Sequence, residues 1–469
     1  MSSLTHRKVL KNEDSENLLK SKSWTKGHER KSDKKSRQFY LIGIFTLTCC
    51  IAAYFHLYRW STHSHSANFL DNFSISLGLK NYVHSIVIDA GSTGSRILSY
   101  GFVSSPERKS LKLHKEFFRE IKPGISFYAD RPNEVVKSLE FLITEVKKFI
   151  PEKDWSKTWL LMKATAGLRL LPETKANALL REAKNYIEKQ EFKIREDSVG
   201  IMDGTDEGLL SWFTVNFLLG KSSNTVVAMD LGGGSTQISF VPSKKDEIIP
   251  EQSQYVSKIG IFEKNLNVYS RSYLGLGLNE GRKRIFLKEL QESNNVKSSC
   301  INPSVKKYWK YGGVDYTIQG STKPRYVTDK RAVDGVQKTM GMNPVVDFDE
   351  CEKIVKSVVS EFEKSPALDG KEIYAFSYYY EKASESGLVD FGSNSKVTIN
   401  DLESTAKSVC SNSYVNQPFI CLDLIYITAL FRDVFGITNS TKINLVKYLD
   451  GHEVSWALGA AFLSLQNQM

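Results

Sequence analysis

Two stretches of this chain each join a carboxylate to a cluster of glycine and hydroxyl residues. Val87-Ile88-Asp89-Ala90-Gly91-Ser92-Thr93-Gly94-Ser95-Arg96-Ile97 aligns without a gap on Ala228-Met229-Asp230-Leu231-Gly232-Gly233-Gly234-Ser235-Thr236-Gln237-Ile238. Each copy is an apolar run ending in Asp, a loop of Gly, Ser and Thr, and a second apolar run. Such loop residues permit unusual dihedrals and leave backbone N–H groups bare, so each unit predicts a β-hairpin whose tip binds an anion such as phosphate. One copy alone would read as an ordinary turn. Two copies, each led by a strand-terminal Asp, predict two similar lobes that present their loops to a phosphate chain in a shared cleft. Asp89 and Asp230 then lie near the cleft floor, where carboxylates suit a hard divalent cation bound largely through water.

Two more strand ends lie between the copies. Trp159 to Arg169 reads as a buried strand breaking into a polar turn, and Pro172 opens a helix that continues past Leu180. Thr165 in that turn offers its hydroxyl to a phosphate or to a cation's water. Arg169 reads either as a phosphate clamp or as a solvated charge at a helix start, and the second reading is preferred. Further on, Asp203-Gly204-Thr205-Asp206-Glu207-Gly208 precedes an apolar helix from Leu209 to Leu219. Acids at a helix start ordinarily cap it and face its dipole. Glu207, on the rim of the expected cleft, is also the best-placed carboxylate for polarising an attacking water. Other chemistries drop out. Gly220-Lys221-Ser222 resembles the end of a P-loop, but Val215 stands where its first glycine must be. HExxH and GxSxG do not occur, and eight histidines leave little for a Ser–His–Asp hydrolase.

These loops need two domains to hold them, and 469 residues suffice for two. A chain that is 41% hydrophobic and 25% charged is neither mainly disordered nor a polytopic membrane protein. Of the formal charge of +10, +6 falls in residues 1–38, with eleven Lys or Arg against five acids. The rest is nearly neutral, which excludes a nucleic-acid footprint. Phe39 to Tyr58 carries no charged residue and predicts one membrane-spanning helix. Lys34, Lys35 and Arg37 before it, against Arg59 after it, put the N-terminus in the cytosol and the bulk of the chain on the lumenal or outer side. Cys300, Cys351, Cys410 and Cys421 then read as disulfides, with Cys300–Cys351 and Cys410–Cys421 as the local pairing. Asn72 and Asn439 stand in glycosylation sequons.

DAGSTGSR (Asp89 to Arg96), KATAGLRLLP (Lys163 to Pro172), GTDEGLLSWFTVN (Gly204 to Asn216), DLGGGSTQISF (Asp230 to Phe240) and SWALGAAF (Ser455 to Phe462) resemble, in order, the five apyrase-conserved regions of the ectonucleoside triphosphate diphosphohydrolase family. Gly234 departs from the family's usual alanine. The resemblance implies an α/β fold of two actin/hexokinase-like, ribonuclease H-like lobes around a nucleotide cleft. With the charge and hydropathy reading of residues 1–81, the expected division is a cytosolic tail (1–38), a transmembrane helix (39–58), a stalk (59–81), lobe I (82–203 with 447–469) and lobe II (204–446). The resemblance further implies Glu207 as general base, Ser235, Gln237 and Thr165 around the nucleophilic water, and Asp89 and Asp230 holding Ca²⁺ or Mg²⁺ through water. Ser92, Thr93, Gly94, Gly232, Gly233, Gly234 and Arg96 would bind the phosphates, and Tyr379, Tyr380 and Trp456 the base. IMDGTDEG (Ile201 to Gly208) and YAFSYYY (Tyr374 to Tyr380) are most similar to the Golgi/ER and secretable branch, which prefers nucleoside diphosphates. The expected protein is a monomeric nucleoside diphosphatase of the Golgi or ER lumen. Its competitors are a surface apyrase acting on ATP and ADP, and a nucleotide sensor without efficient hydrolysis.

Overall fold

The computed structural model describes residues 46, 48, 49, 51, 81–104, 111–243, 248–261, 264–321, 325–327, 343–368, 370–412 and 416–466. The tail 1–38, most of the expected span 39–58, the stalk up to residue 80 and the sequon at Asn72 lie outside the described residues. Within the span, Thr46, Thr48, Cys49 and Ile51 are helical and exposed. Among the described residues no helix is long and apolar enough to cross a membrane. From Tyr82 onward the chain forms a unit of its own.

That unit builds one topology twice. β1 (Asn81–Ala90), β2 (Ser95–Ser104) and β3 (Leu111–Ile121) run consecutively. Helix α1 (Val135–Phe149), β4 (Trp159–Ala164), α2 (Ala166–Arg169), α3 (Glu173–Ile187) and β5 (Val199–Ile201) follow. The sheet order is β3-β2-β1-β4-β5, with β2 and β3 antiparallel and β4 parallel to both β1 and β5. After α4 (Gly204–Leu218), the chain enters a second sheet through β6 (Val227–Leu231), β7 (Ser235–Phe240), β8 (Val256–Ile261) and β9 (Lys264–Leu274). It continues through α5 (Leu278–Lys288), a small three-stranded sheet and α6 (Phe348–Val359). It then forms β10 (Ile373–Ser377), α7 (Tyr378–Glu385), β11 (Ser395–Val397), α8 (Ile399–Cys410), α9 (Ile420–Ala429) and β12 (Ile443–Leu445).

The order across the second sheet is β11-β12-β10-β6-β7-β9-β8. Its inner five strands, β9-β7-β6-β10-β12, reproduce the first sheet with the same directions: β7 antiparallel to β9, and β10 parallel to both β6 and β12. The repeated sequence motif therefore marks the β1–β2 and β6–β7 turns of two like-folded lobes.

Two helices exchange between these sheets. α4 leaves the end of β5 but packs on β6, β7 and β9, while α10 (Trp456–Gln466) follows β12 and packs on β2 and β4. They lie side by side at the centre. Trp456, Leu458 and Ala461 join Leu98, Tyr100 and Phe102 in one core; Trp212, Phe213 and Val215 join Ala228 and Phe376 in another. Burial on several sides explains why α4 carries apolar residues all round instead of on one stripe. Its first turn, with Glu207, is thereby fixed between the lobes. Cys300–Cys351 and Cys410–Cys421 are disulfide-bonded, the second joining the end of α8 to the start of α9.

Candidate active site

The two hairpin loops meet. A Cβ added at Gly233 would lie 2.4 Å from Ser92 Oγ and 3.1 Å from Thr93 Cγ2. None of Gly91, Gly94, Gly232, Gly233 and Gly234 has a positive φ, so the expectation of unusual dihedrals is corrected. Glycine is needed here for space. Gly94, expected to bind phosphate, does not line the cleft; a Cβ there would lie 2.9 Å from Glu120 Oε1 and 3.3 Å from Ile121 O. Gly91, Ser92 and Thr93 from one lobe and Gly232, Gly233 and Gly234 from the other line a cleft of about 320 Å³, with Asp89, Thr165, Glu207, Asp230 and Ser235 around them.

A segment that the sequence reading passed over sets the second loop. The amides of Leu278, Asn279 and Glu280, at the start of α5, donate to the carbonyls of Gly232, Gly233 and Gly233 again, and Gly275 N–H donates to Gly234 O. With its carbonyls held from behind and the Gly232 N–H donating to Ser235 O at 3.0 Å, the loop has the amides of Gly233 and Gly234 to offer the cleft. Gly277 makes this possible, since a Cβ there would stand 2.3–2.5 Å from backbone atoms of Gly233, Gly234 and Ser235. α5 is itself anchored by the buried pair Arg282–Asp423, in which Nε and Nη2 reach Oδ1 and Oδ2 at 2.7 and 2.5 Å, and Arg282 Nη1 donates to Asn279 Oδ1 at 2.9 Å.

The cleft is acidic. Asp89, Glu120, Glu207, Asp230, Glu381 and Glu453 line it against two cationic side chains, Arg96 and Lys447. Arg96, expected to bind phosphate, donates to Asp89 Oδ2 at 3.3 Å and pairs with Glu120 at 3.1 Å, so its charge is already taken up by carboxylates. Asp89 Oδ1 is buried and has no hydrogen-bond partner among the described residues. Asp230 accepts from Ser211 at 3.3 Å and from Ser377. Burial pushes Asp230 up to about 6, with Asp89 adding to the rise, and Asp89 rises for the same first reason. Burial also pushes Glu207 up to about 8, against the pull of Arg169 and with help from Asp230 and Asp89.

Asp203, as expected, caps α4 by accepting from Thr205 N–H at 2.7 Å, and Glu207 sits one turn in. Glu207 Oε2 accepts from Arg169 Nη2 at 2.6 Å and from Gln237 Nε2 at 3.1 Å. The preferred reading of Arg169 as a solvated helix-start charge is corrected: its side chain is 13% exposed and paired. Gln237 is buried and does not line the cleft; its Nε2 also reaches Ser235 Oγ at 2.8 Å and Ser272 Oγ at 3.0 Å. Thr165 follows β4 and faces the cleft.

The aromatic expectation divides. Tyr380 and Trp456 line the cleft, as do Tyr378 and Tyr448. Tyr379 does not: it is fully buried, stacked on Phe431 at 4.6 Å, with its hydroxyl 2.9 Å from Thr236 Oγ1. Successive residues at the start of α7 point about 100° apart, and both Tyr379 and Tyr380 are buried in the core of the second lobe, Tyr380 also bordering the cleft. Ser377, just before them, has φ 56° and ψ −130° and closes the end of β10 beside Asp230; no sequence signal distinguishes a serine in that conformation.

Residues 78–469 match the GDA1/CD39 (nucleoside phosphatase) family. The chain is 36% identical over 396 residues to human "Nucleoside diphosphate phosphatase ENTPD5", covering 82% of this chain and 88% of that one. It is 35% identical over 390 residues to rat "Ectonucleoside triphosphate diphosphohydrolase 6", covering 81% of each. Among solved structures, that of nucleoside triphosphate hydrolases from Neospora caninum superposes with a TM-score of 0.59 at 14% identity, over 87% of this chain and 98% of that one. It shows the two-lobed actin-like fold.

The clamp on the second loop is testable in the full-length protein. Gly277→Ala drives a methyl group into loop backbone that cannot yield, and should weaken binding of inorganic phosphate by about tenfold or more, roughly 1.4 kcal/mol. Titration calorimetry reads this, and an unchanged affinity would show that the loop amides are set by something else.

Proposed function

The chain belongs to the GDA1/CD39 (nucleoside phosphatase) family, and from that premise we propose that it hydrolyses the terminal phosphate of nucleoside diphosphates such as GDP, UDP and IDP. One observation carries the reading: two glycine loops from like-folded lobes close to contact distance beside a carboxylate held by Arg169 and Gln237. Loop amides of Ser92, Thr93, Gly233 and Gly234 hold the terminal phosphate. Ser235 and Thr165 offer hydroxyls to the attacking water, and Gln237 holds Ser235 and Glu207 in place from behind. Glu207 takes the proton as the water oxygen bonds to phosphorus in line with the departing monophosphate. No protein nucleophile is needed. Tyr378, Tyr380 and Trp456 form an aromatic wall for the base.

An anionic substrate in a cleft with six carboxyl groups needs added positive charge. The unpartnered Asp89 Oδ1 and the facing Asp230 fit a divalent cation. Among the described residues no three such ligands cluster, so Ca²⁺ or Mg²⁺ would keep most of its water. When bound, the cation neutralises phosphate charge as it develops.

The disulfides and the sequon on exposed Asn439 support an oxidising, glycosylating compartment. We place the lobes, 82–203 with 447–469 and 204–446, in the Golgi or ER lumen, behind a single N-terminal membrane helix. There the enzyme would clear the diphosphate released by glycosyltransferases.

Phosphate release by the full-length protein from GDP, UDP, IDP and ATP, with Ca²⁺ or Mg²⁺ and with chelator, tests this directly. Diphosphates should outpace ATP and chelator should abolish turnover; equal or faster ATP hydrolysis would identify a broad apyrase instead. Glu207→Gln should retain nucleotide binding and lose about 10²–10⁴-fold in kcat, and near-wild-type turnover removes Glu207 from its role.

The buried acids also predict a pH signature. Carboxyl groups raised on folding stabilise the native state below their unfolded values, and that contribution is lost as pH rises through about 6 for Asp230 and about 8 for Glu207. In chelator, the melting temperature should fall from pH 5 to pH 9, and Ca²⁺ or Mg²⁺ at pH 8 should restore it. A flat profile, or one that the cation leaves unchanged, contradicts a shared carboxylate site.

A further inference from the structure

We infer that Arg169 is a positioning residue for the general base, supplied by the lobe opposite to the base itself; this rests on Glu207 having that role. Arg169 ends α2, which follows β4 of the first sheet, whereas Glu207 stands on α4 and Ser235 opens β7, both packed in the second lobe. One guanidinium nitrogen, Nη2, bridges them, at 2.6 Å from Glu207 Oε2 and 3.3 Å from Ser235 Oγ. The pair is enclosed, with side-chain exposures of 13% and 10%. A charge-assisted bond so short and so dry fixes orientation as well as charge.

Which oxygen of Glu207 acts follows from this pairing. Oε2 accepts from both Arg169 and Gln237, while among the described residues no donor is found on Oε1. Glu207 lines the cleft, so Oε1 is the oxygen left to accept the water's proton. Arg169 itself does not line the cleft, although both its partners do, and a phosphate-clamping role does not fit that placement. Room for the guanidinium is built into the helix start: a Cβ on Gly204 would lie 2.4 Å from Arg169 Nη1.

Because the bridge spans two lobes, the base is aimed only while the lobes are together. In the step it supports, the water oxygen bonds to the terminal phosphorus, the bridging P–O bond breaks with its electron pair leaving on the nucleoside monophosphate, and the water proton moves to Oε1. Aim of this kind affects the rate of that step far more than substrate affinity.

The test uses the full-length protein with Arg169→Met and Arg169→Lys, each alone and combined with Glu207→Gln, assayed for kcat and KM on GDP, with binding of the product monophosphate as the check of folding. Arg169→Met should lower kcat by about 30- to 100-fold with KM within about threefold, and lysine, which cannot reproduce the guanidinium's reach, should lose about tenfold. In the Glu207→Gln background, Arg169→Met should cost less than about threefold more, because its partner's function is already gone. A raised KM with kcat intact would make Arg169 a phosphate clamp, and equal penalties in both backgrounds would make it merely structural; either result overturns the inference. If Arg169→Met fails to bind product, the lysine variant decides, and wild-type kcat there overturns it. High activity of Glu207→Gln alone removes the base reading itself, whatever the arginine variants do.

Discussion

Three buried carboxyl groups, Asp89, Glu207 and Asp230, share one narrow cleft, and their mutual repulsion and lost hydration shape much of what surrounds them. Burial raises all three; Asp230 and Asp89 raise Glu207 further, Asp89 raises Asp230, and Glu120 raises Asp89. The protein answers with a guanidinium on each side, Arg96 against Asp89 and Arg169 against Glu207, and with hydroxyls from Ser211 and Ser377 on Asp230. That leaves a net acidic pocket, in keeping with the proposed divalent cation.

The fold gathers these groups through repetition. Each lobe carries Asp next to the end of a central strand, turns through glycine and hydroxyl residues, and returns along a neighbouring strand; the parallel strand on the other side is followed by Thr165 in one lobe and ends in Ser377 in the other. The exchange of α4 and α10 between the sheets ties the lobes at their centre. It also carries the first turn of each helix, with Glu207 and Trp456, to the cleft. Close approach is possible because glycine stands where a Cβ would collide: Gly233 against the Ser92 side chain, Gly277 against the backbone of the second loop, Gly204 against the Arg169 guanidinium.

Much of this was legible from residues near one another in the chain. The paired Asp–glycine motifs, the cap at Asp203, the strand before Thr165 and the local cysteine pairing depend on side-chain type and spacing, which the sequence displays. The glycines were found for a reason that proved incomplete, since their backbone angles are ordinary and it is neighbouring atoms that exclude a side chain. Other features were invisible in principle. Arg169 looks like any charged residue at a helix start until Glu207, thirty-eight positions on, closes on it. Arg282 finds Asp423 only after 141 positions, and nothing local marks either as the support of a phosphate loop.

The sequence by itself therefore determined the two lobes, the two glycine loops and the carboxyl groups of Asp89, Asp230 and Glu207 beside them, because repeats and strand-end motifs are written in consecutive residues. Only the tertiary structure decided which atoms are free to act. It turned Tyr379 into the core and Tyr378 into the cleft, held Gln237 behind the site, and left one oxygen of Glu207 without a donor among the described residues. Those outcomes depend on angles and on distances between segments far apart in the chain, and composition and periodicity carry no record of them.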